Sequence, residues 1–70
     1  MRKVTCIEAN SRCTLGKEYV VRANNKGNNV ITLDDGKTLH AFRDGNKGHA
    51  WTVTHYGNGV ATHVGLFKDL

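Results

Sequence analysis

Apolar residues along this chain recur at every second position, in short runs that break at clusters of Gly, Asn and Asp. From Lys17 to Ala23 the alternation is clearest: Tyr19, Val21 and Ala23 fall on one face, Glu18, Val20 and Arg22 on the other. That period of two is the signature of a half-buried strand. Val4–Ile7 reads as a strand before it, and Val30–Leu33 as one after the polar cluster Asn24–Asn29. Asp34-Asp35-Gly36 then turns the chain into Lys37–Arg43. An Asp-Gly pair between β-rich runs predicts a tight hairpin, a type I′ turn with positive φ at both central residues. Asp44–Gly48 predicts another turn, His49–His55 a further strand, and Gly57-Asn58-Gly59 a turn into Val60–Val64. Gly65-Leu66-Phe67 is expected to lay its two apolar side chains over an open end of the core. No stretch shows the i, i+3, i+4, i+7 apolar stripe of a long helix. A helix-containing α+β domain is the alternative to this all-β reading.

Seventy residues make one domain, residues 1–70, with a small core. Five or six short antiparallel strands in so small a domain must protect their edges, and curling into a partly open barrel does so. The expected core is Val4, Cys6, Leu15, Tyr19, Val21, Ile31, Leu33, Leu39, Phe42, Trp51, Val53 and Phe67.

Charge changes the picture more than composition does. The net charge of +4 lies wholly in the first 26 residues, and the rest is balanced. Arg2, Lys3, Arg12, Arg22 and Lys26 would form one basic stripe if the first two strands pair. The longest apolar runs are far too short to cross a membrane, and no apolar stretch follows the basic N-terminus as in a signal peptide. The chain therefore reads as cytoplasmic, with Cys6 and Cys13 as reduced thiols.

Leu15-Gly16-Lys17-Glu18-Tyr19-Val20-Val21, followed by Val30-Ile31-Thr32-Leu33-Asp34-Asp35-Gly36-Lys37, resembles a pattern in small SH3-like β-barrel proteins of bacteriophages and bacteria. Those chains place leucine, threonine, any residue, glycine, lysine, any residue, tyrosine, any residue and valine before an Asp-Gly hairpin. In this chain the leucine directly precedes the glycine. The resemblance spans about residues 4–43 and includes no catalytic residue; nothing after Asp44 takes part in it. It implies an SH3-like barrel, and a phage-type protein that binds and redirects a host factor. That functional step is analogy, since fold alone does not give function.

The residues themselves argue against catalysis and metal binding. Cys6, Cys13 and two of His40, His49, His55 and His63 would be needed for a zinc site, yet no Cys-x2-Cys or His-x3-His spacing is present. Ser11 and Cys13 have no histidine placed to activate them. Asp34-Asp35 sits where turns favour aspartate for its bonds to nearby amides. Gly57-Asn58-Gly59 precedes no helix and is not a phosphate loop. No enzyme, cofactor or metal is expected.

What remains is binding. The candidate contacts are Arg2, Lys3, Arg12, Arg22 and Lys26, with Tyr56 beside a turn as the aromatic. A host protein inhibited or modulated through these basic and loop residues is the first expectation. A nucleic-acid-binding barrel, which would join a basic stripe to stacking aromatics, is the second. A small-molecule sponge formed at an oligomer interface is a third class, because so small a barrel has no room for an internal ligand. The chain is expected to be a monomer or a small homo-oligomer.

Overall fold

The structure is a computed structural model that describes residues 1–44 and 50–70. Six strands follow one another: β1 (Arg2–Ala9), β2 (Glu18–Ala23), β3 (Asn29–Thr32), β4 (Thr38–Asp44), β5 (Ala50–Gly57) and β6 (Val60–Asp69). Each pairs antiparallel with the next, and β6 returns to pair with β1, so the sheet closes into a barrel. The all-β barrel reading is what the structure shows, and β1–β6 pairing shuts the side that the sequence left partly open. Among the described residues no helix is long and apolar enough to cross a membrane. Of the turn expected over Asp44–Gly48 only Asp44, the last residue of β4, is described; the rest of it and His49 lie outside the described residues.

Turn chemistry sets the registers. At Asp34-Asp35-Gly36 the Gly36 N–H donates to the Leu33 carbonyl and the Leu33 N–H to the Lys37 carbonyl. Gly36 has φ of 79°, whereas Asp35 is not in the left-handed region. The hairpin is therefore a type I turn closed by a glycine bulge, not the expected type I′ turn. Its register matches the reading: Ile31 faces Leu39 and Thr32 faces Thr38. The type I′ turn lies elsewhere, at Asn58-Gly59, where both residues have positive φ and Gly57 faces Val60.

The core cluster is Val4, Cys6, Tyr19, Val21, Ile31, Leu33, Ala41, Trp51, Val53, Val64 and Phe67, with Cys13 and Leu39 packed against it. Two expected members are absent. Leu15 is 66% exposed, because it sits in the turn that Lys17 closes by bonding to the Thr14 carbonyl. Phe42 is 51% exposed, because β4 turns Ala41 into the barrel opposite Val53 and so points its neighbour out. Leu66 and Phe67 are also not a lid. They belong to β6, where Phe67 faces Cys6 on one side and Trp51 on the other.

Two bulges shape the closure. Ile7 is the extra residue where Cys6 pairs with Phe67 and Glu8 with Leu66. Val64 is the extra residue where Val53 pairs with Gly65 and Thr54 with His63. Beyond the Val64 bulge β5 no longer pairs with β4, nor β6 with β1, whose last pair is Ala9 with Gly65. Residues 54–63 thus form a two-stranded arm with Tyr56 and Val60 exposed, which shares a groove with Thr38–His40 of β4 and reaches Asn10 through His63.

Candidate functional site, the basic end of the barrel

Antiparallel registers sort the charged residues between the two ends of the barrel. Arg2 lies opposite Val21, Ala23 opposite Asn29, and Ala50 opposite Lys68. The start of β1, the β2–β3 turn, the end of β4 and the start of β5 therefore share one end. Of the sequence candidates, Arg2, Lys3, Arg22 and Lys26 fall at or near it. Arg12 and Tyr56 do not. Arg12 belongs to the β1–β2 loop at the opposite end, and Tyr56 to the β5–β6 arm.

At the basic end Asp69 is a shared acceptor. Its Oδ1 takes the Trp51 indole N–H at 2.8 Å. Its Oδ2 lies 2.8 Å from the Arg43 guanidinium and 3.3 Å from that of Arg2. Burial works against ionisation here, but the Trp51 N–H and the two arginines outweigh it and hold the carboxyl below its ordinary range. Arg43 also stacks on the Trp51 ring, 4.2 Å from its centroid. One carboxylate facing two guanidiniums leaves this end positive. Arg22 points outward from β2 and bonds the Thr32 hydroxyl at 3.1 Å.

Two open grooves meet here. One, about 460 Å³, is lined by Arg2, Arg22, Asn29, Arg43 and Trp51 among others. The other, about 240 Å³, runs over Asn28, Asn29, His40, Phe42 and Arg43. Asn29 and Arg43 are common to both, so the basic end is continuous with the outer face of β4. Phe42 stands on that face with the His40 ring packed edge-on at 6.2 Å. Sequence reasoning missed Phe42 and Arg43 as surface residues. The signal for Phe42 was present: Leu39 and Phe42 have opposite parity, so one strand cannot bury both.

The other end is a network built for rigidity. Asp34 accepts bonds from the Thr14 hydroxyl at 2.7 Å, the Lys17 ammonium at 2.7 Å and the Tyr19 hydroxyl at 2.8 Å. The Tyr19 oxygen in turn accepts the Thr14 N–H, and the Arg12 carbonyl accepts the Asp34 N–H. Lys17, then Thr14 and Tyr19, hold the Asp34 carboxyl down to about 2. Arg12 has φ of 61° and pairs with Asp35 at 3.3 Å, so its charge is engaged within the protein. This end ties the β3–β4 hairpin to the β1–β2 loop and faces no basic groove.

Chemistry-bearing side chains elsewhere do not converge. Among the described residues no three His, Cys, Asp or Glu side chains are grouped to hold a metal. His63 lies 2.9 Å from the Asn10 amide and 3.8 Å from Glu8. Cys6 and Cys13 are free thiols with sulfurs 3.8 Å apart. Burial, reinforced by Cys6, pushes the Cys13 thiol up to about 11, the reverse of an activated nucleophile. The concavity at the tip of the arm, about 500 Å³, is lined by Tyr56 to Ala61 and carries no charged residue.

Comparison with known proteins finds no counterpart: no family model, no curated protein and no solved structure matches this chain.

Proposed function

We propose that the protein is a non-enzymatic binding module whose basic end docks on an acidic surface of a partner protein. The observation that carries this reading is the exposed Phe42 ring in the groove over β4, which Asn29 and Arg43 join to the groove lined by Arg2 and Arg22. An exposed aromatic supplies a hot-spot anchor, and the surrounding cations steer and orient an acidic partner. Together with the resemblance to small phage barrels, this makes the leading role that of a phage-type inhibitor or modulator of a bacterial host protein in the host cytoplasm.

Nucleic acid is the second reading, since basic grooves beside an aromatic also suit a single strand. The distribution of aromatics favours protein. Tyr19 and Phe67 pack edge-to-face in the core, and Trp51 is buried beneath Arg43. Tyr56 lies on the arm, away from the arginines, in a groove it shares with His40. Among the described residues Phe42 is the exposed aromatic that lines a groove with an arginine, Arg43, whereas sequence-tolerant strand binding uses successive stacking platforms.

Affinity capture from bacterial lysate, with and without nuclease, separates the two. A protein partner retained at near-stoichiometric level after nuclease is the expected outcome. Loss of every captured band with nuclease overturns the reading in favour of nucleic acid.

A further inference from the structure

Cys6 and Cys13 lie far from the basic end, and the binding role makes no use of them. Cys6 points into the core from β1 and is fully buried. Cys13 belongs to the loop between β1 and β2 and is only half-buried. Their sulfurs are 3.8 Å apart, each also directed at a backbone carbonyl: Cys6 at Glu8 (3.4 Å) and Cys13 at Val64 (3.7 Å). The room for Cys13 depends on Gly65, where an added Cβ would come within 3.0 Å of its sulfur.

We propose that Cys6 and Cys13 form a two-thiol modification site, closed to an intramolecular disulfide by a hydroperoxide. A disulfide needs sulfurs about 2.05 Å apart, so the pair must close by a little under 2 Å. Cys6 is fixed by its strand: its N–H bonds the Lys17 carbonyl and its carbonyl the Gly16 N–H. Cys13 sits on irregular backbone next to Arg12, and rotation of its side chain supplies the movement.

The reaction proceeds in two steps. The Cys13 thiolate attacks one peroxide oxygen, the O–O bond breaks, and the departing hydroxide takes a proton to leave as water. Cys13 is then a sulfenic acid. The Cys6 sulfur attacks the Cys13 sulfur, the S–O bond breaks, and the Cys6 proton leaves with that oxygen as a second water. The two thiols lose two electrons and the peroxide gains them. Cys13 acts first because peroxide reaches it and does not reach buried Cys6. Its raised thiol makes the first step slow at neutral pH and faster as pH climbs toward 11.

The product tethers the β1–β2 loop to β1. The same loop carries Thr14, which bonds Asp34, so oxidation stiffens the end of the barrel opposite the basic grooves. The test uses the full chain in its folded state. It is treated with hydrogen peroxide, alkylated under denaturing conditions, and weighed intact. The expected result is a monomer lighter by about 2 Da that takes up no alkyl group and returns to two alkylations after dithiothreitol. Its melting temperature rises by on the order of 10 °C. Cys6→Ser, which removes the resolving thiol, should instead accumulate a Cys13 sulfenic acid trapped by a dione reagent. Two alkylations after peroxide, over-oxidised thiols without a bridge, or covalent dimers in the wild-type chain would each overturn the proposal.

Discussion

Adding a single methyl group at Gly65 tests how tightly the barrel is closed. Gly65 sits where β6 meets both neighbours, opposite Ala9 on β1 and Val53 on β5. Its φ is not in the left-handed region, so alanine there brings no backbone strain and the effect is one of contact alone. The new Cβ would lie 2.6 Å from the Glu8 carbonyl oxygen and 3.0 Å from the Cys13 sulfur. Glu8 is backbone in a paired strand and cannot swing aside, so β1 and β6 must separate at the bulge that closes the sheet. Overpacking of this kind costs about 1–3 kcal/mol. For a domain of this size each kcal/mol lowers the melting temperature by roughly 4–8 °C. Gly65→Ala should therefore melt on the order of 10 °C below wild type in a circular-dichroism scan. Gly57→Ala is the matched control: its Cβ would lie nearest the His55 ring, at 3.0 Å, and that side chain can rotate away. It should shift the midpoint by no more than a few degrees, since alanine also restricts the unfolded chain. Equal melting temperatures for the two variants, or a Gly65→Ala protein as stable as wild type, would refute the tight β1–β6 closure.

Gly36→Val should destabilise by more than about 1 kcal/mol, read as a lowered urea midpoint, because a β-branched residue resists the φ of 79° there. The Asp34 carboxyl is held at about 2 in the folded state, below its ordinary value of 3.8. Its contribution is therefore full above about pH 4 and lost as pH falls toward 2. Acid melts of wild type should steepen across that window, and those of Asp34→Asn should be flatter. Excess EDTA should leave the β-type circular dichroism unchanged; its loss would show that a metal supports the fold. In anisotropy titrations at about 150 mM salt, generic DNA should bind more weakly than about 100 μM, and micromolar binding abolished by Arg22→Glu would reverse the ranking of partners.

Local rules made much of the barrel legible. Alternation places Tyr19 and Val21 inside, and the β-rich runs broken by turns imply five or six strands, of which the structure has six. Where local rules met a choice between two faces they failed. Hydrophobicity alone places Phe42 in the core, but the strand turns Ala41 inward opposite Val53, and the larger ring faces water. The burial of Val64 is not legible in the sequence, because the bulge beside Gly65 shifts the parity of β6 and no residue pattern announces a bulge. The candidate site was legible in part. Arg2, Lys3, Arg22 and Lys26 were visible as a charge bias, and strand pairing assembles them near one end. Arg12 shares that bias, yet the β1–β2 loop carries it to the other end and into a pair with Asp35. Asp69 gathering Arg2, Arg43 and Trp51 is a contact across nearly the whole chain, which only barrel closure creates.

The most direct measurement of the central claim is a comparison of charge reversals in nuclease-treated capture. Lys26→Glu alters the basic end, while Lys37→Glu alters the β3–β4 turn at the opposite end by the same single charge reversal. With melting temperatures matched, the first variant should lose the captured protein and Lys37→Glu should retain it. Retention by both, or loss by both to the same extent, would contradict docking through the basic end.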